Sequence, residues 1–123
     1  MIGYVTLGTN DLDKARAFYS ALLGTIGAKE LMRTEKGLTM YGVVFGKPLL
    51  CVTKPFDGKP ATVGNGVMVA LECKDRAQVD AVYKLAMSLG AQDEGGPGDR
   101  GGGFYAAYFR DPDGNKLNAF VMG

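Results

Sequence analysis

Gly103-Phe104-Tyr105-Ala106-Ala107-Tyr108-Phe109-Arg110, then Asp111-Pro112-Asp113-Gly114-Asn115, then Lys116-Leu117-Asn118-Ala119-Phe120-Val121: this closing stretch reads as strand, tight turn, strand. Aromatic and β-branched residues fill both arms, and the break between them is built from turn formers. Pro112 presets φ at the second turn position, and Gly114 or Asn115 can take the left-handed conformation that closes such a hairpin. A lone hairpin is not stable in water, so this one requires a larger sheet and a covering layer.

The chain has 123 residues, which suits one compact domain or two small fused modules. A net charge of +1, with no basic run, argues against nucleic acid and anionic membrane as partners. No apolar run is long enough to span a bilayer, and the N-terminus opens on a strand pattern with no signal-peptide features, so a cytoplasmic location is expected. Cys51 and Cys73 lie in separate strand-like segments and read as buried free thiols. There is no histidine, which removes Ser-His-Asp triads, Cys-His pairs and His-ligated metal sites.

Working back to the start, Ile2 to Gly8 alternates as a half-buried strand, with Val5 and Leu7 on one face and Tyr4 and Thr6 on the other. Thr9-Asn10-Asp11 offers a helix cap, with Asp13 three residues after Asn10 as a capping-box variant. Leu12, Ala15, Phe18, Tyr19, Leu22 and Leu23 then share one helical face, Lys14 and Arg16 face solvent, and Gly24 or Gly27 ends the helix. Strands are expected over Ala28 to Thr34, Leu38 to Phe45 and Leu49 to Thr53, followed by an aperiodic linker. The pattern restarts with a strand from Val67 to Cys73 and a helix capped by Asp75, with Val79, Val82, Tyr83, Ala86 and Leu89 inward. Gln92 to Glu94 is a poor strand, and Gly95 to Gly102 reads as a loop.

The two halves superimpose. Tyr4 lies over Met68, Asp11 over Asp75, Tyr19 over Tyr83 and Tyr41 over Tyr105, always 64 positions apart. The reading is therefore an α+β fold of tandem βαβββ modules, 1–54 and 67–123, joined by a linker over 55–66. The modules are expected to form a curved mixed sheet around a central trough, with the helices on the outer face.

A repeated βαβββ unit ending in Asp111-Pro112-Asp113-Gly114-Asn115 resembles the vicinal oxygen chelate superfamily of glyoxalases, bleomycin-resistance proteins and extradiol dioxygenases. Thr6-Leu7-Gly8 with Asp11-Leu12 and Ala17-Phe18-Tyr19 is similar to the family's opening, and Phe109 to Leu117 to its closing signature. In members that do chemistry, the resemblance implies a divalent metal in the trough. Its four ligand positions fall here on Tyr4, Cys51, Met68 and Asn118. Such ions favour imidazole and carboxylate, so no metal and no cofactor is expected. Asn118 also cannot serve as the proton-accepting carboxylate of a glyoxalase-type isomerase.

Alternation assigns a ligand-binding wall of Tyr4, Thr6, Met40, Cys51, Met68, Phe104, Tyr108, Asn118 and Phe120, with Gly42, Val44, Thr53, Ala70 and Ala106 beside them. The wall is apolar and aromatic, with a few hydroxyls and one amide, as in small-molecule pockets. Glu72 ends its strand on the same side, and no catalytic residue is assigned. The 95–103 stretch reads as a solvated loop; the alternative is a flap that brings Arg100 to an anionic ligand group. The expected function is metal-free binding of a small, largely apolar or aromatic ligand by a homodimer. The alternative is a lyase, isomerase or dioxygenase-type enzyme of the same superfamily with a divergent site.

Overall fold

Two aspartates start the two helices. Asp11 is extended (φ −140°, ψ 95°), and its carboxylate accepts the Lys14 N–H at 3.1 Å. That satisfies one of the donors a first helical turn leaves without a partner. The cap is therefore Asp11 and not Asn10 with Asp13: Asn10 instead exchanges two hydrogen bonds with the Ala61 backbone, at 2.7 and 3.2 Å. Asp75 repeats the device, accepting the Gln78 N–H at 2.8 Å while Gln78 Oε1 accepts the Lys74 N–H at 2.8 Å.

The structure is a computed structural model that describes residues 1–123 as two units, Met1–Val63 and Gly64–Gly123. Each unit is a βαβββ module, the expected α+β class. The first contains β1 (Tyr4–Gly8), α1 (Leu12–Gly24), β2 (Lys29–Arg33), β3 (Thr39–Gly42) and β4 (Leu49–Thr53), with strand order β1-β4-β3-β2. The second contains β5 (Val69–Glu72), α2 (Arg76–Ser88), β6 (Gln92–Asp99), β7 (Phe104–Arg110) and β8 (Lys116–Met122), in the equivalent order β5-β8-β7-β6. In each sheet the first and last strands pair in parallel and the rest are antiparallel. A parallel pair needs a long connection, which the helix and the intervening strands supply. No helix is long and apolar enough to cross a membrane.

Each helix covers one face of its own sheet. From α1, Ala15, Phe18, Tyr19, Leu22 and Leu23 are buried, and Leu7, Tyr41, Leu50 and Val52 are buried in the sheet beneath. From α2, Val79, Val82 and Ala86 are buried, above Leu71, Ala107, Phe109, Leu117 and Ala119. Removing each large apolar side chain from water stabilises the fold by about 1.5–3 kcal/mol.

Arg16, expected in solvent, is only partly exposed, because it ties α1 to the sheet. Its Nε donates to the buried Thr39 Oγ1 at 2.9 Å and its Nη2 to the Gly37 carbonyl at 3.2 Å. A polar rim also holds α2. Tyr105 donates to Asp80 at 2.6 Å, Tyr83 donates to Asp93 at 2.9 Å, and Arg76 stacks over Tyr105 at 4.8 Å while pairing with Asp99.

The larger departure concerns Gly95 to Gly102. Most of this expected loop is the second half of β6, whose pairing with β7 runs to Asp99↔Tyr105 and shifts register on both sides of Gly95. The glycines carry no side-chain alternation, so their backbone pairing left no period-2 signal. The turn proper is shorter: the Arg100 N–H donates to the Phe104 carbonyl at 2.7 Å.

The β7–β8 turn is held by one buried carboxylate. Asp111 Oδ1 accepts the N–H groups of Asp113 and Asn115, and Oδ2 accepts Asn115 Nδ2, each at 2.9 Å. Gly114 takes the positive φ of 95° that the turn requires. Asp111→Ala is expected to lower stability in urea by about 2–4 kcal/mol, since it strands several buried donors at once. A loss below 0.5 kcal/mol would show that the turn holds without its carboxylate.

The pH profile follows from the titrating groups. With no histidine, stability is expected to stay flat between about pH 6 and 8. Burial pushes the Cys73 thiol up to about 11 and also raises the Tyr41 hydroxyl. A raised acid contributes stability that is complete below its unfolded value and lost as pH climbs through the folded one. Thermal unfolding should therefore show a falling Tm from about pH 9 toward 11.

Candidate functional site

The helix-free face of each sheet follows from the register. In the first unit, Tyr4 lies opposite Leu49, Thr6 opposite Cys51, and Cys51 opposite Met40, so these side chains share one face. In the second, Ala70, Asn118, Tyr108 and Gly95 form one row across four strands, and Glu72, Phe120, Ala106 and Gly98 form the next. Phe104 lies opposite Met122 one step further on. The opposite face carries Leu117, Phe109, Leu71 and Ala119 toward α2. The alternation read from the sequence thus assigns the two faces correctly within each sheet. Val44 and Met68 are exceptions: β3 ends at Gly42 and Val44 lies exposed in the following turn, while Met68 precedes β5, which starts at Val69.

Burial divides the candidates. Tyr4 (58% exposed) and Met68 (40%) are open, whereas Cys51 and Asn118 are fully enclosed at 0% and 1%. Met40, Phe104, Tyr108 and Phe120 are half-buried, and the rings of Phe104 and Phe120 stack at 5.7 Å. Asn118 stands apart: its Oδ1 is a buried side-chain polar atom with no hydrogen-bond partner. Native proteins rarely leave such an atom unpaired.

The charges on the second sheet's helix-free face were only partly legible. Arg100 reaches back along β6, and Nη2 donates to the Gly96 carbonyl at 2.6 Å. Its guanidinium sits 5.5 Å from the Tyr108 ring centroid, and Lys116 Nζ lies 5.6 Å from the same centroid. Arg110 pairs with Glu94 at 2.8 Å, and that carboxylate is also 3.9 Å from Lys116. Lys116 went unnoticed in the sequence, although its spacing of two from Asn118 put it on the same face.

The four positions matching the family's metal ligands do not supply a suitable donor set. Tyr4 and Cys51 belong to the first unit, Met68 and Asn118 to the second. They offer a phenol, a thiol, a thioether and an amide, with no imidazole or carboxylate. Burial pushes the Cys51 thiol above its ordinary value. No group of three or more His, Cys, Asp or Glu residues is placed to hold an ion.

Two surface clefts lie elsewhere in the first unit. One of about 220 Å³ is lined by Thr9, Asn10, Lys54, Pro55, Gly58, Lys59 and Pro60. The other, of about 400 Å³, is lined by the β2–β3 turn and by Thr53 to Phe56. Of the residues assigned to the wall only Thr53 lines either cleft, and both present lysines, prolines and open surface rather than convergent polar groups.

No curated protein matches the chain. Among solved structures, a glyoxalase/bleomycin resistance protein from Albidiferax ferrireducens T118 is 35% identical, with TM-score 0.91, over 100% of this chain and 99% of that one. A lactoylglutathione lyase from Agrobacterium tumefaciens is 25% identical with TM-score 0.72, over 98% and 92% of the two chains. A glyoxalase/bleomycin resistance protein/dioxygenase family enzyme from Burkholderia phytofirmans PsJN, 19% identical with TM-score 0.79 over 98% of both chains, shares the fold. The family profile described as Glyoxalase/Bleomycin resistance protein/Dioxygenase superfamily matches residues 1–119. With that profile running through both βαβββ modules, the chain belongs to the glyoxalase/bleomycin resistance protein/dioxygenase superfamily.

Proposed function

We propose that the protein binds a small, largely aromatic molecule on the helix-free face of the second sheet, without a metal ion. The observation that carries this reading is Asn118. Its amide replaces the carboxylate expected at the family's last ligand position, and its Oδ1 is buried with no partner in the protein. Such an atom costs about 1–3 kcal/mol unless something pairs with it, and a ligand N–H or O–H would do so. Its surroundings suit an aromatic ligand: Tyr108 lies directly opposite, and Phe104, Phe120 and Ala106 share the face. Apolar walls with a few placed polar groups are the usual make-up of such sites. The cytoplasm is the proposed setting, where two buried free thiols remain reduced.

The proposed assembly is a homodimer. Ile2, Tyr4, Val43, Val44 and Phe45 are all exposed, and they gather near one end of the first sheet, where the Leu49 N–H bonds to the Gly3 carbonyl. Contiguous exposed apolar side chains of this kind mark association surfaces, and a second copy is the occupant proposed. Sedimentation equilibrium should give twice the chain mass at micromolar concentration, and Phe45→Glu should shift it to monomer. A monomer at all concentrations would contradict the assembly.

The test of the function is a pair of measurements on Asn118→Leu. If the amide is kept for a ligand, replacing it by an apolar side chain of similar shape removes an unpaired polar atom. The variant should then be more stable by about 1–2 kcal/mol. In a thermal-shift panel of small aromatic compounds, a ligand of the wild-type protein should raise Tm by about 5–10 °C at a hundredfold excess over its Kd. The same compound should leave Asn118→Leu unmoved. A destabilised variant that still binds would contradict the proposed role.

A further inference from the structure

The glycines of β6 have a second consequence. A Cβ on Gly98 would stand 2.8 Å from Arg100 Nη1, and one on Gly95, where φ is +144°, would stand 3.4 Å from Nη2. The strand is bare where the Arg100 side chain crosses it. Together with the bond to the Gly96 carbonyl, that bareness places an exposed guanidinium on the helix-free face, against Tyr108. Arg76 and Arg110 each hold a carboxylate within 3.1 Å, but Arg100 has no carboxylate partner. Its neighbouring cation, Lys116, keeps only a 3.9 Å contact with a Glu94 that Arg110 holds more closely. The other carboxylate on this face, Glu72, is on β5, at the opposite edge of the sheet from β6. Beside this excess of positive charge lie the stacked Phe104–Phe120 pair and the orphaned Asn118 Oδ1, which shares the Tyr108 row.

The geometry points to an aromatic carboxylate as the ligand class of the second module, with its carboxylate on Arg100 and its ring along Tyr108, Phe104 and Phe120. This rests on the small-molecule reading above and adds the charge. Arg100 spends one N–H on Gly96 and keeps donors in a planar fork, the geometry that suits a carboxylate. The Tyr108 hydroxyl makes no hydrogen bond within the protein and is a further donor to the same group. A hydroxyl or amine on the ring would supply the hydrogen that Asn118 Oδ1 lacks. Lys116 strengthens the field without having to touch the ligand.

The experiment is a titration of the full-length protein, followed by backbone amide NMR, with three probes: 4-hydroxybenzoate, 4-hydroxybenzamide and inorganic phosphate. The expected result is saturable binding of 4-hydroxybenzoate, with shifts at Gly95, Gly98, Tyr108 and Asn118. The amide should bind at least about 10-fold more weakly, as loss of a charge-assisted pair requires. Arg100→Met should bring the carboxylate down to the affinity of the amide, and Gly98→Ala, which displaces the guanidinium without removing it, should weaken it in the same direction. Equal binding of carboxylate and amide, insensitive to Arg100→Met, overturns the anionic inference while leaving the small-molecule reading in place. Phosphate bound as tightly as 4-hydroxybenzoate overturns the aromatic part. If none of the three probes binds, the inference fails for this ligand class, and the thermal-shift panel judges the broader reading separately.

Discussion

The Asp111 carboxylate sets the register of the last hairpin, and much else depends on that register. Four residues of turn close around its two oxygens, so β7 and β8 meet with Tyr108 opposite Asn118 and Ala106 opposite Phe120. Side chains alternate faces along a strand, so a slip of one residue would invert the sheet. Phe109 and Leu117 would leave α2, and Asn118 would leave the face it shares with Tyr108. Because β8 also pairs in parallel with β5, and β7 pairs antiparallel with β6, the whole second sheet inherits the pairing fixed at this turn. The first sheet has the same strand order but joins β3 to β4 through Val43 to Pro48, with no carboxylate in that role.

Much of this was legible before any coordinates. Helical spacing placed Phe18, Tyr19, Leu22 and Leu23 on one face of α1, and the 64-residue offset revealed the repeat. Period-2 alternation put Tyr108, Asn118 and Phe120 on the face opposite Phe109 and Leu117. The failures have specific causes. The strand through Gly95 and Gly98 reads as loop in the sequence because glycine erases the alternation that reveals strands, and here the missing side chains make room for Arg100. The cap falls within Thr9-Asn10-Asp11, but the sequence does not single out Asp11, because Asn10 is an equally good capping type and is engaged instead by Ala61, which is distant in sequence. Arg16 looks solvent-facing in the sequence because its partners, Thr39 at the start of β3 and Gly37 in the turn before it, are distant in the chain. Burial was the least legible property: nothing in the spacing distinguishes an open Tyr4 from an enclosed Cys51 on the same face.

The family's fold does not rest on its metal chemistry. The hairpin, the two βαβββ modules and their helix-covered sheets are built from backbone pairing and apolar burial, and none of these needs a metal. The metal site of the catalytic members needs ligands of suitable chemistry at a few positions, and the resemblance carries those positions onto Tyr4, Cys51, Met68 and Asn118. A fold is tolerant of such exchanges where a coordination sphere is not. The second sheet carries an amide oxygen without a partner and a guanidinium without a carboxylate, both on the face that α2 leaves uncovered.

The most direct test of this account is elemental analysis of the protein purified without chelator and then dialysed against nickel, zinc, manganese or iron(II). The account predicts well under 0.1 equivalent of any of them after removal of free ion, and the same content in Asn118→Leu as in the wild type. One equivalent of a divalent ion, lost in Asn118→Leu, would contradict it.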